Sequence, residues 1–115
     1  MSLDVSLMVT QPVEVYTGNI THNLGEMARA VPVGNGLTLY NILWRPDECI
    51  PPLTVGKELT VHLSIGLSVL LDNSDYYRSF NPENYWGDYE GLVNFTRNYL
   101  MASIQHPDST IVVSR

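Results

Sequence analysis

Leu3-Asp4-Val5-Ser6-Leu7-Met8-Val9 opens the chain with apolar Leu3, Val5, Leu7 and Val9 alternating against Asp4, Ser6 and Met8. A period of two belongs to a half-buried strand, with one face on a core and the other toward water. The far end of the chain carries a second such segment, the β-branched run Thr110-Ile111-Val112-Val113-Ser114. Each segment is too short to be stable alone, and the chain between them reads mainly as helix. The two ends are therefore predicted to be neighbouring strands of one sheet. The resulting fold class is α+β, a small sheet formed by the N- and C-terminal strands with a layer of three to four helices packed on it. The 115 residues are read as a single domain, 1–115, since domains run to about 100–200 residues.

Between the strands, Pro12 interrupts the first run and Val13-Glu14-Val15-Tyr16 resumes it, until Thr17-Gly18 is expected to turn the chain. Asn19 and Thr21 both offer N-caps for a helix carrying Leu24, Met27, Ala28 and Val31 at helical spacing and ending by Pro32. After the turn cluster Pro32-Val33-Gly34-Asn35-Gly36, the residues Leu37, Tyr40, Asn41 and Trp44 share a helical face that stops at Arg45-Pro46. Thr54 is the expected cap of a helix to about Asp72, whose stripe is Leu59, Leu63, Gly66, Leu67, Leu70 and Leu71. Gly66 in that stripe leaves room for a backbone or an aromatic ring. Ser74 caps a short turn through Phe80. A last helix, about 88 to 105, begins with Asp88 and Glu90 at its positive end and buries Tyr89, Leu92, Val93, Thr96, Tyr99, Leu100, Ser103 and Ile104.

The 12 acidic and 6 basic side chains give a formal net charge of −6, and the cations are scattered along the chain. Sequence-independent nucleic-acid binding needs clustered cations to neutralise neighbouring phosphates, so that class is disfavoured. Five of the six cations are Arg, whose planar fork suits fixed partners. Cys49 is the only cysteine, which excludes an intramolecular disulfide and suits a reducing compartment. No apolar run approaches the about 18 residues of a membrane span, and the first residues lack the pattern of a secretion signal. A cytoplasmic protein without a membrane role is expected. The sequons Asn19-Ile20-Thr21 and Asn94-Phe95-Thr96 are then chance matches.

Three clusters carry the candidate chemistry. Tyr76, Tyr77, Phe80, Tyr85, Trp86 and Tyr89 place six of the eleven aromatics in fourteen residues, interleaved with Arg78, Asn81 and Asn84. They read either as a pocket stacking a planar ligand, or as rings sealing the core between two helices. Asn19-Ile20-Thr21-His22-Asn23 reads as a docking point for an anion or carbonyl at a helix start, or as plain capping. Leu43-Trp44-Arg45-Pro46-Asp47-Glu48 offers Arg45 as a stack on Trp44 or a fork for Asp47 or Glu48, and otherwise is a helix stop. The spacing of His22, His62 and His106 matches no metal motif, and Cys49 reads as a small buried hydrophobe before it reads as a nucleophile. No catalytic residue, metal or cofactor is assigned. His62 is expected to be partly buried and structural.

In Asn19–Asn23, Leu43–Glu48, Phe80–Tyr89 and the terminal Val113-Ser114-Arg115, nearly the whole chain resembles a family of small uncharacterised proteins from bacteria, prophages and phages. It departs from that pattern in a longer turn at residues 31–37 and in Tyr85 before Trp86, where Gly is usual. The resemblance implies a phage context in which short acidic proteins act by binding, either blocking a host protein or sequestering a small molecule of host defence.

The leading expectation is thus a non-catalytic binding protein of phage type, a counter-defence protein that takes up a nucleotide-like ligand. Its site is placed at Asn19, His22, Asn23, Trp44, Arg45, Asn84 and Trp86, with aromatic faces for a base, Asn amides for a ribose and Arg for a phosphate. An acidic inhibitor of a host protein or a structural interaction module is the alternative, and a small enzyme with His22 as its first candidate base is third. The aromatic excess also points to a homo-oligomer.

Overall fold

The computed structural model describes residues 1–9 and 13–115, so the interruption expected at Pro12 lies outside the described residues. The fold is α+β. Strand β1 (Ser2–Val9) is the middle of a three-stranded antiparallel sheet, flanked by β2 (Val13–Thr21) and β5 (Thr110–Ser114). The chain's ends thus pair as the alternation predicts, with Val5 opposite Val113 and Leu7 opposite Ile111. Leu3, Val5 and Leu7 are completely buried on one face of the sheet. The other face carries Ser6, Thr17, Asn19 and Val112, the last three of them exposed.

The strand β2 corrects the sequence reading. Thr17-Gly18 does not turn the chain, and Asn19 is a strand residue rather than a helix cap. Pairing decides this: Leu3 faces Ile20 and Val5 faces Gly18, so extending the strand buries Ile20 with the core face of β1. A bulge at Leu7/Met8 marks the beginning of β2. Thr21 does act as a cap, its hydroxyl accepting from Asn23 N at 3.3 Å, but the capped element is a single 3-10 turn, His22–Leu24, leading into the short helix α1 (Gly25–Arg29).

Leu37 also departs from expectation: it belongs to a hairpin of β3 (Pro32–Gly34) and β4 (Leu37–Thr38), turned by Gly34, Asn35 and Gly36, all at positive φ. Helix α2 (Leu39–Trp44) starts only after Thr38, whose N–H donates to the Asn41 side chain at 2.8 Å. The long helix α3 (Gly56–Asp72) begins one residue past Val55 rather than at a Thr54 cap. Its start is closed by Glu58, whose carboxylate accepts from the N–H groups of Thr54 (2.7 Å) and Val55 (3.1 Å). Those two donors hold the Glu58 carboxyl below its ordinary pKa.

Leu59, Leu63 and Leu70 are fully buried, whereas Leu67 is half-buried and Leu71 is exposed. Gly66 accommodates neither a backbone nor a ring: a Cβ there would meet Leu39 Cδ1 at 3.1 Å and Val33 Cγ1 at 3.2 Å, so the hairpin and α2 use the space. The short helix α4 (Ser74–Arg78) precedes α5 (Tyr89–Gln105), which Asp88 caps through Gly91 N at 2.7 Å. Helix α5 lies antiparallel to α3, with Thr60 bonded to Ser103 (3.0 Å) at one end and Tyr89 Oη donating to Leu70 O (2.6 Å) at the other. Leu100 is half-buried and Ile104 exposed, contrary to expectation, while Phe95 and Ala102 join the core.

Candidate functional site

The aromatic cluster divides in two. Tyr77 and Tyr89 are buried and their hydroxyls donate to Ala30 O (2.9 Å) and Leu70 O (2.6 Å), which is the core-sealing role. Tyr76, Tyr85 and Trp86 remain exposed, Trp86 by 69%. The loop that presents Trp86 is built by its polar residues. Asn84 Oδ1 accepts from Trp86 N at 3.0 Å, Asn81 Oδ1 accepts from Tyr89 N at 2.8 Å, and Tyr85 and Gly87 both take positive φ.

Trp86 forms one wall of a cleft of about 520 Å³ whose other residues are Met1, Ser2, Asn19, Thr21, His22 and Asn23. The cleft lies where β1 begins and β2 ends. Asn19 Nδ2 donates to Ser2 Oγ (2.9 Å) and to the Asp4 carboxylate, tying the two strands on the open face of the sheet. Behind it, His22 Nε2 is buried without a hydrogen-bond partner among the described residues, and the His22 ring meets the edge of Trp44 at 6.2 Å. A buried polar atom left unpaired costs about 1–3 kcal/mol, so this nitrogen is the least satisfied group at the cleft.

Four of the seven expected site residues, Asn19, His22, Asn23 and Trp86, therefore line one cleft. The other three do not. Trp44 is buried and stacked on Tyr40 at 5.1 Å, supporting His22 from the core side. Asn84 shapes the Trp86 loop through its hydrogen bond. Arg45 neither stacks on Trp44 nor forks Asp47: it pairs with Glu48 at 2.9 Å, while Asp47 is held by Arg115 at 2.8 Å. Arg115 also donates to Trp44 O at 2.9 Å, and its hydrogen bonds keep the Asp47 carboxyl below its ordinary pKa. Sequence reasoning missed Met1, Ser2 and Thr21 as lining residues. The outward position of Ser2 follows from the alternation of β1, but only the full length of β2, which sets Thr21 opposite Ser2, brings the two strands' ends together beside Asn19.

A larger groove, about 570 Å³, runs past Asn35, Cys49, Ile50, Lys57, Val61 and His62. Its charged groups and its histidine are already engaged. Lys57 meets Asp108 at 3.6 Å, Glu48 holds Arg45, Glu58 caps α3, and His62 Nδ1 lies 3.4 Å from Val33 O. Cys49 is buried against Arg45 O, and burial pushes its thiol pKa up, which opposes a nucleophilic role. Among the described residues no group of three or more His, Cys, Asp or Glu side chains gathers to hold a metal ion, and no helix is long and apolar enough to cross a membrane. No protein-family model, curated protein or solved structure matches the chain.

Proposed function

We propose that the chain is a non-catalytic binding protein whose cleft between Trp86 and the Asn19–Asn23 segment takes up a small planar ligand, a nucleobase or nucleoside in chemical class. The observation that carries this reading is the pairing, across one cleft, of an exposed indole with amide and hydroxyl groups and a buried imidazole nitrogen that lacks a partner among the described residues. An indole face stacks any planar base, and amides read a base edge or sugar hydroxyls. Among the described residues no Lys or Arg side chain lines the cleft, and Asp4 stands beside it. The phosphate expected to meet Arg45 has no guanidinium there, so base and sugar are the recognised parts of a nucleotide-like molecule. In the phage context that the sequence resemblance implies, the use is sequestration of a host signalling molecule.

Calorimetry with adenosine, guanosine and their 5′-monophosphates tests this directly. Nucleoside binding at least equal to that of the monophosphate, lost in Trp86→Ala, is the expected result. Absence of heat with all four probes, together with no ligand released from the purified protein on denaturation and mass spectrometry, sinks it. The exposed Tyr76, Tyr85 and Trp86 favour a second reading, a docking surface for a host protein, because aromatic anchors dominate such contacts.

A further inference from the structure

The sheet has two edges, and they are treated differently. On β5, Ile111 N donates to Thr54 O at 2.9 Å, Val55 bridges Thr110, and Arg115 is tied to Asp47 and Trp44. That edge is covered by the segment before α3. On β2, a nine-residue strand, no other strand pairs with the outer side among the described residues. The ladder shows which groups are left open. His22 N donates to Met1 O at 3.5 Å, continuing a register in which Leu3 faces Ile20 and Val5 faces Gly18. Bonded pairs alternate along an antiparallel ladder, so Ile20, Gly18 and Tyr16 direct their backbone groups at β1, and Thr17, Asn19 and Thr21 direct theirs outward.

An edge of this kind is a template for another strand, and proteins ordinarily blunt it with Lys, Pro or several charges. Val13–Thr21 has neither Lys nor Pro and a single charge, Glu14 near one end. We infer that β2 pairs antiparallel with β2 of a second copy of this chain, about a two-fold axis at Gly18, joining two sheets into one of six strands. The strand's own pattern fits that occupant: the −6 carried by each chain opposes association at most faces, whereas this edge presents a single charge. About this axis Glu14 falls opposite the far end of the partner strand and never opposite itself. The axis also sets Gly18 against its own copy in a non-bonded pair, where backbones come closest and the missing side chain cannot crowd. Thr17 and Asn19 then exchange backbone bonds across the seam. On the core face, Tyr16 of each copy stands opposite Ile20 of the other, an aromatic with a β-branched neighbour. The two ligand clefts would stand at opposite ends of the joined strands, but the inference does not depend on their being occupied.

Sedimentation at about 100 μM, within the range of weak associations, is expected to give about twice the 12.9 kDa chain mass. Thr17→Cys, one residue from the axis, should cross-link as a dimer with a short bismaleimide. Val112→Cys, also exposed but on the covered edge, should not, and Cys49 is too buried to compete. Thr17→Lys sets like charges diagonally across the axis and should lower the dimer fraction several-fold with an unchanged circular dichroism spectrum. A monomer at this concentration, or a dimer whose Thr17→Cys chains fail to cross-link, overturns the inference, including the case in which the edge pairs with a different protein.

Discussion

Gly87 rests against Thr21 so closely that a Cβ on it would lie 2.6 Å from Thr21 Cγ2 and 3.0 Å from Leu24 Cγ. This contact brings the loop before α5 onto the end of β2 and sets Trp86 across from Asn19. Gly87 also holds φ +96°, a conformation side chains rarely adopt. Gly87→Ala is therefore expected to cost about 1–3 kcal/mol, seen as a lower denaturant midpoint, and to weaken ligand uptake together with it. Trp86→Ala, whose ring is largely exposed, should remove binding and leave the melting temperature within a few degrees. Equal losses of stability in both variants would mean that the loop only seals the core.

Leu63, fully buried on α3, should cost about 2–5 kcal/mol when replaced by Ala. Leu71, one residue beyond the buried Leu70 and 49% exposed, should cost under about 1 kcal/mol. Urea denaturation of the two variants side by side distinguishes the buried stripe from its exposed continuation.

Tyr99 is completely buried, stacked on Tyr16 at 5.8 Å, and its hydroxyl has no hydrogen-bond partner among the described residues. Burial holds its phenol well above the ordinary value of 10.0, and Tyr16, Tyr77 and Tyr89 shift the same way. The folded chain keeps protons that the unfolded chain releases above about pH 10, so this stabilisation is complete below pH 10 and is lost as the pH rises beyond it. Tyr99→Phe should soften the alkaline loss and, by removing an unpaired buried hydroxyl, add about 1 kcal/mol at neutral pH. Denaturant midpoints between pH 8 and pH 11 measure both effects.

On the acid side, Asp47, Glu58 and Glu90 all titrate below their ordinary values of 3.8, 4.5 and 4.5, through Arg115, the N–H groups at the start of α3, and Arg78 respectively. Depressed carboxyls stabilise the fold above their unfolded values and cease to do so as the pH falls, so the acid loss should set in below about pH 4.5. Arg115→Ala should return the Asp47 carboxyl toward its ordinary range, read by carbon NMR, and an unmoved Asp47 signal would show that the pair is not formed in solution.

The parts of the fold legible in sequence are those whose pattern repeats locally. Leu3, Val5 and Leu7 declare a strand by alternation, and Leu59, Leu63 and Leu70 declare a helix by spacing. Thr17-Gly18 reads as a turn and Asn19 as a helix cap because Gly and Asn favour such positions, yet their partners Ser6, Val5 and Asp4, remote in sequence, keep all three extended. Asn19, His22 and Asn23 are neighbours in the chain and so are read together. Trp86 joins them through Gly87 and Thr21, a packing match that composition hints at but cannot locate. Arg45 is drawn into the expected site by its neighbour Trp44, whereas the local ion pair with Glu48, equally open in the sequence, is what forms.

The middle strand of the sheet precedes every other element of the chain, and one of its two neighbours comes after them all. While the ribosome is still adding residues, β1 can pair with β2 as a hairpin, but a hairpin alone is marginal in water. The helices emerge before the sheet that covers them is complete. Folding of the whole unit must wait for Ser114 to clear the exit tunnel, which makes this a slow, long-range closure rather than a stepwise one. A stalled or prematurely ended chain would leave β1 unpaired along Asp4–Met8 on its β5 side, and quality-control proteases would meet it with that edge open.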